Sequence, residues 1–288
     1  MVKYGIFLGC FMPFRYLCVE KATYRVLDAL GLEYAILSDY SCCPEPVFTR
    51  LVDYDFWLTM AARNLALAEE QGIETLVVPC CGCFETLHEA SEALKEPEVR
   101  EKVNSVLSKF GHEYKGVVKV ESIVETLGRE IDRIRELVQA PFTARVAIHY
   151  CCHLFRPGPS GDIWVKHDMT RDLLKAVGAD VLRYKLERFC CGFPAFQVDP
   201  EFSLKERLAP KLASMRAVGA DCVVTACMAC MTQFERGQVM LKRYGMEYNM
   251  PVMHPVEAIA LALGVKPEEL GLEVHRTPVP QLVKLIYG

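Results

Sequence analysis

The residues with the clearest chemistry are fourteen cysteines, at positions 10, 18, 42, 43, 80, 81, 83, 151, 152, 190, 191, 222, 227 and 230. Several are adjacent pairs and two pairs have C-x-x-C spacing, a density that suits thiolate–metal ligation better than ordinary core packing. Their order repeats. Residues 3–15 align with 145–157, 41–48 with 189–196, 72–83 with 219–230 and 122–128 with 258–264. Each half therefore carries one cysteine, then an adjacent pair, then C-x-x-C. Cys10 and Cys42 are separated by 31 residues and Cys43 and Cys80 by 36; the matching spacers, Cys152 to Cys190 and Cys191 to Cys227, are 37 and 35. Ten cysteines thus have a cysteine partner in the other half. Cys18, Cys81, Cys151 and Cys222 do not, and are assigned to packing.

Three kinds of chemistry compete for the ten. Two C-x-x-C pairs could make one structural zinc site, but that leaves both adjacent pairs and Cys10 with Cys152 unexplained. A thioredoxin-like redox pair after a strand is a second possibility, though duplication of the accompanying cysteines speaks against it. Five thiolates per half exceed the four of one tetrahedral zinc or of an ordinary iron–sulfur cube. Adjacent cysteines reach two irons of one cluster more easily than one small ion. The arithmetic points to a polynuclear iron–sulfur centre in each half.

These residues must be carried by an α/β fold. Short β-rich runs occur at 4–8, 33–36, 75–78, 117–120, 146–150, 181–184, 222–225 and 252–254, with helical patterns between them. Helices are expected over 21–30, 56–71, 92–110, 121–139, 169–177 and 204–218, several ending at a glycine. Strands alternating with helices imply parallel sheets. Two domains are expected, residues 1–141 and 142–288, meeting near Pro141. In such sheets ligands bind beyond the carboxyl ends of the strands, where helix N-termini favour anions. The cysteines follow first and third strands of each half, so two sites would face each other across the interface.

Composition excludes several classes. The chain has 288 residues, 51% of them hydrophobic, which excludes disorder as a whole. A net charge of −4 argues against a nucleic-acid surface. No apolar run reaches the roughly 20 residues of a membrane span. The N-terminus does not read as a signal peptide, and a cytoplasmic location is expected, where disulfides are rare.

The repeated Cys–x–Cys-Cys–x–C-x-x-C pattern resembles the cysteine-rich CCG domain. A tandem pair over residues 3 to about 264 is similar to the B-subunit family of CoB–CoM heterodisulfide reductases. The first copy reads Cys-Cys-Pro at 42–44 where the family has Cys-Cys-Gly. The resemblance implies two pseudo-symmetric CCG domains, each a small mainly parallel sheet flanked by helices. It implies two non-cubane 4Fe-4S clusters, one on Cys10, Cys42, Cys43, Cys80 and Cys83, the other on Cys152, Cys190, Cys191, Cys227 and Cys230. It further implies reduction of the coenzyme M–coenzyme B disulfide, as in methanogenic archaea. Electrons would come from a ferredoxin-like C subunit, itself fed by a flavin-bearing A subunit. Hydrogenase or formate dehydrogenase would complete a larger complex. The alternative is a CCG-type electron-transfer subunit of another anaerobic complex, of thiol:fumarate reductase or sulfur-metabolism type.

Other residues are secondary candidates. His153 follows Cys152 and is expected as a proton donor or as a hydrogen-bonding residue of the cluster loop. Arg15 and Arg156, at equivalent positions after Cys10 and Cys152, are candidates for binding anionic groups of the substrate. Gly192 and Pro194 are expected to set a tight turn beside the second cluster.

Overall fold

The structure, a computed structural model, describes residues 2–155 and 163–288. Eight short strands form two sheets of four. The first contains β1 (Val2–Ile6), β2 (Tyr34–Ile36), β3 (Ile73–Val78) and β4 (Lys119–Ser122) in the order β2-β1-β3-β4. The second contains β5 (Arg145–Ile148), β6 (Asp180–Leu182), β7 (Cys222–Val224) and β8 (Val252–Met253) in the order β6-β5-β7-β8. Every pairing is parallel. The duplication seen in the cysteines is therefore a duplication of topology. Central strands are apolar on both faces, as helix-covered parallel sheets require: Leu76, Val77, Val78, Val223 and Val224 are fully buried.

The chain leaves β1 to one side and returns to place β3 on the other. Their carboxyl ends form the crevice where ligands of open α/β sheets bind. The same switch point lies between β5 and β7.

All eight strands occur where sequence patterning placed them, displaced by at most two residues. The helices differ more: those expected from 21 and 169 begin earlier, at Leu17 and Ile163, and three others differ in kind or extent. The stretch expected as one helix over 121–139 is two, Ile123–Arg129 and Ile131–Leu137, because Ser122 and Glu125 form a capping box that starts the first just after β4. The helix expected from Glu92 starts at Pro97, whose fixed φ suits a first helical position, while Glu92 belongs to the preceding helix Cys81–Ala93. The helical stretch from Pro200 to Ala217 contains a π-helical segment, Ser203–Leu208.

The halves exchange packing partners. Helix Pro255–Ala262, after β8, lies on helix Leu17–Ala29 of the first half; helix Ile123–Arg129, after β4, lies on helix Ile163–Ala176 of the second. At the centre the ends of β3 and β7 meet. Cys81 N donates to Ala226 O at 2.9 Å, and Pro79 O accepts from His254 Nε2 at 3.1 Å. Burial holds His254 down at about 4, so the imidazole is neutral and can donate as observed.

Candidate metal centre

Each half builds its cysteine group in the same way. Cys10 precedes helix Phe11–Arg15 and Cys152 opens helix Cys152–Phe155. Cys80 and Cys227 are extended N-cap residues of helices Cys81–Ala93 and Met228–Leu241. The second cysteine of each C-x-x-C, Cys83 or Cys230, then falls in the first helical turn. Both sulfurs of a pair thus sit where backbone N–H groups and the helix dipole favour a thiolate. The adjacent pairs Cys42–Cys43 and Cys190–Cys191 arrive on loops. Within each pair the first cysteine is exposed and the second buried; Cys10 and Cys152 are exposed, and all four C-x-x-C cysteines are buried.

Nine of the ten thiols form one connected chain. Cys10 contacts Cys42, Cys42 contacts Cys43, Cys43 contacts Cys83, and Cys83 contacts Cys80. Cys80 contacts Cys227 across the interface, and from there the chain continues through Cys230 and Cys191 to Cys190. Cys191 Sγ lies 3.4 Å from Cys230 Sγ. One cavity is lined by cysteines of both halves, nine of the ten, Cys227 being the exception. Leu8, Phe11 and Phe193 supply much of its apolar wall.

Crowding decides the protonation of these thiols. Hydrogen bonds from Cys42 and Cys83 pull Cys43 down to about 6. Cys227 is lowered by hydrogen bonds from Cys151, Cys230 and Cys80. Their neighbours go the other way: Cys10 is raised by its hydrogen bond with Cys42 and by burial, and Cys190 by its hydrogen bond with Cys191 and by burial. Five thiolates cannot share such a space unless a cation compensates them. The donor set therefore fits a polynuclear, sulfur-ligated metal group, and is too rich for one tetrahedral ion.

Buried polar side chains aim the loops. Asn64, fully buried in helix Tyr54–Glu70, accepts from Ser41 N at 2.9 Å and donates to Cys42 O at 3.2 Å. Thr86 Oγ1 donates to Pro44 O at 2.7 Å. In the second half Lys211 Nζ donates to Leu186 O, Glu187 O and Phe189 O at 2.7, 3.1 and 2.7 Å. Burial lowers its ammonium to about 8. Ser203 Oγ donates to Gly192 O at 2.8 Å and accepts from Gln233 Nε2 at 2.9 Å. Its π-helical segment points it there, a role such segments often have at functional sites. Gly192 has φ +91°, and a Cβ would lie 2.8 Å from Arg207 Cβ; only glycine makes this turn without strain. None of Asn64, Thr86, Lys211 and Ser203 was singled out from sequence. The available signal was a polar residue on an otherwise apolar helix face, as at Asn64.

His153 lines the cysteine cavity and hydrogen-bonds Glu85 through Nδ1; both side chains are buried. Arg15 does not line the cavity. It lines an adjoining open groove of about 830 Å3 with Cys10, Phe14, Tyr16, Arg236 and Arg276, and pairs with Glu235 at 3.6 Å. Arg156 lies outside the described residues. Among the four cysteines assigned to packing, Cys222 is enclosed in β7 as expected. The other three are buried as well, and each also faces a further ligating side chain. Cys151 Sγ falls within 4.8 Å of Cys227 and Cys230, and Cys81 contacts Cys151. Cys18 faces His275 and Glu257. Spacing relative to the repeat could not show this, because Cys151 is opposite Gly9, whose Cβ would lie 2.8 Å from Cys83 Sγ. The second half places a sulfur where the first has no room for a side chain.

Comparison with known proteins fits this geometry. The model of the CCG cysteine-rich domain matches residues 4–88 and 146–235. The B subunit of a CoB–CoM heterodisulfide reductase from Methanosarcina acetivorans is 35% identical, the match covering 100% of this chain and 98% of the relative. The membrane anchor subunit of the 8-methylmenaquinol:fumarate reductase of Wolinella succinogenes is 29% identical over 94% and 95% of the two chains. A solved structure of a hypothetical protein from Helicobacter pylori superposes with a TM-score of 0.72 at 20% identity; the match covers 96% of this chain and 52% of that one, and shows the shared fold. Two parallel α/β repeats, each ending in a five-cysteine pocket, define a tandem CCG protein. The chain belongs to the CCG cysteine-rich family that includes the heterodisulfide reductase B subunits. Among the described residues no helix is long and apolar enough to cross a membrane.

Proposed function

We propose that the chain is the disulfide-reducing subunit of a heterodisulfide reductase, acting on the coenzyme M–coenzyme B disulfide in the cytoplasm of an anaerobic archaeon. The observation that carries this reading is the single cavity between two equivalent cysteine pockets. Cys10, Cys42, Cys43, Cys80 and Cys83 would hold one non-cubane 4Fe-4S cluster, and Cys152, Cys190, Cys191, Cys227 and Cys230 the other. Two such one-electron centres on one cavity supply the two electrons that an S–S bond takes. The halves divide into domains 1–141 and 142–288, so the cavity lies on the domain boundary, a common place for ligands.

The chain's own residues would position and protonate. The groove beside Cys10 has the volume of a small-molecule site and three arginines, Arg15, Arg236 and Arg276, suited to an anionic tail. Arg156 is proposed for the same task at the second pocket. The apolar wall excludes water from the reacting sulfurs. His153, which hydrogen-bonds Glu85, would deliver a proton to a departing thiolate. Electrons would come from a ferredoxin-like C subunit and a flavin-bearing A subunit, with hydrogenase or formate dehydrogenase in a larger complex. The relative from Wolinella favours a second reading, an electron-transfer subunit of a different reductase.

The deciding experiment supplies the anaerobically purified, iron-loaded chain with the heterodisulfide and a reduced viologen dye. Two thiols released per disulfide are expected. Full iron content without thiol release would leave the electron-transfer reading in its place.

A further inference from the structure

A second group of metal-ligating side chains lies away from the cavity and takes no part in the proposed reaction. Cys18 Sγ is 3.4 Å from His275 Nε2, and Glu257 Oε1 is 2.8 Å from the same nitrogen. All three ligand atoms lie within 4.8 Å of one another. His275 Nδ1 meets Glu235 Oε1 at 2.7 Å. The side chains of His275 and Glu257 are fully buried, and Cys18 is enclosed. They come from separate elements: helix Leu17–Ala29, helix Pro255–Ala262 and the turn after Val274, with Glu235 on helix Met228–Leu241.

We propose that Cys18, Glu257 and His275 form a structural zinc site that clamps the C-terminal segment and the second half onto the first. One thiolate, one carboxylate and one imidazole are ligands zinc accepts together. At a tetrahedral zinc with ordinary bond lengths, sulfur–nitrogen and oxygen–nitrogen separations are about 3.6 and 3.3 Å. Cys18 already meets the first, and Glu257 must withdraw by about half an ångström to meet the second. Glu235 on the far ring nitrogen is the carboxylate that commonly orients a ligating histidine. Three protein ligands leave a fourth position that a water would fill.

The charges balance. Without metal, a Cys18 thiol and a His275 imidazolium lie among Glu235, Glu257 and Arg15, with two negative and two positive charges. Binding one Zn2+ releases the thiol proton and the Nε2 proton to solvent, leaving the net charge unchanged.

This inference is independent of the proposed reaction, since none of these ligands belongs to the cysteine motifs. The test is metal analysis and zinc X-ray absorption on the full chain, produced with iron and zinc and purified without oxygen. About one zinc per chain is expected, with one sulfur and the remaining neighbours nitrogen or oxygen. Cys18→Ala should lose the zinc and keep its iron, whereas Cys222→Ala, altering another buried thiol, should keep both. Absence of zinc from the native chain, a sulfur-only zinc environment, or full zinc retention in Cys18→Ala would each overturn the proposal. The first two readouts need no variant to fold.

Discussion

Single sulfurs decide what this chain can hold. Cys43 and Cys191 are the buried members of their adjacent pairs, and each contacts the second cysteine of its own C-x-x-C. In the proposed role each is a ligand of its own half, and replacement with alanine would remove one sulfur from that group. Cys43→Ala and Cys191→Ala are each expected to lose most of the iron of their own half and to abolish disulfide turnover. Iron analysis beside the thiol-release assay checks this; full activity with both replaced would refute the proposed role. The ten motif cysteines, which line or adjoin one cavity, stand out from the repeat alone because each recurs at matched spacing in the other half. The part played by Cys151 and Cys81 does not, since it depends on a sulfur crossing to the other half, and a lone cysteine carries no record of its spatial neighbours.

At the scale of elements, the loops bearing the adjacent pairs have little regular structure and are pinned by side chains from helices behind them. Asn64 and Ser203 are fully buried and satisfy backbone groups at Cys42 and Gly192. Asn64→Ala and Ser203→Ala should each destabilise the fold by about 1–3 kcal/mol, the usual cost of leaving a buried polar group unsatisfied. Urea denaturation measures the loss, and iron should become easier to extract by a chelator from the half affected. Helix types and most strand positions were legible because apolar periodicity encodes them. Helix ends were less so: Pro97 and the Ser122–Glu125 capping box are local signals that a broad charged pattern conceals. The π-helical segment at Ser203, whose hydroxyl bonds Gly192 O 11 positions away, left no trace in the sequence pattern.

Over the whole molecule, function depends on holding the halves in register. His254 belongs to the contact between them, with its neutral ring donating to the carbonyl before Cys80. Burial depresses it from 6.5 to about 4. An unfolded histidine takes a proton near 6.5 and the folded one resists until about 4, so this group's contribution is present above 6.5 and is lost as pH falls through that window. The loss should amount to about 3 kcal/mol, at 1.36 kcal/mol per unit. Comparing urea stability at pH 7 and 4.5 with that of His254→Gln isolates the term; equal slopes in both proteins would contradict it. Outside, helix Phe48–Val52 follows the first adjacent pair and leaves Leu51 and Val52 80% and 85% exposed. An apolar surface this close to a metal pocket suits the docking of an electron-donating subunit. If the proposed ferredoxin-like subunit docks there, Leu51→Glu with Val52→Glu will cut electron transfer from it at least tenfold while leaving dye-driven turnover unchanged, as stopped-flow measurement would show.

The sequence by itself determined the repeated cysteine pattern, the duplication and the α/β class, since each follows from residue type and period along the chain. Tertiary structure alone decided that the two pockets share one cavity, that Arg15 faces a groove beside it, and that Cys18 meets His275 some 257 positions away. Local periodicity specifies elements and the atoms they carry; which of those atoms meet is fixed by packing helices across the two halves, and that information is spread over the whole core.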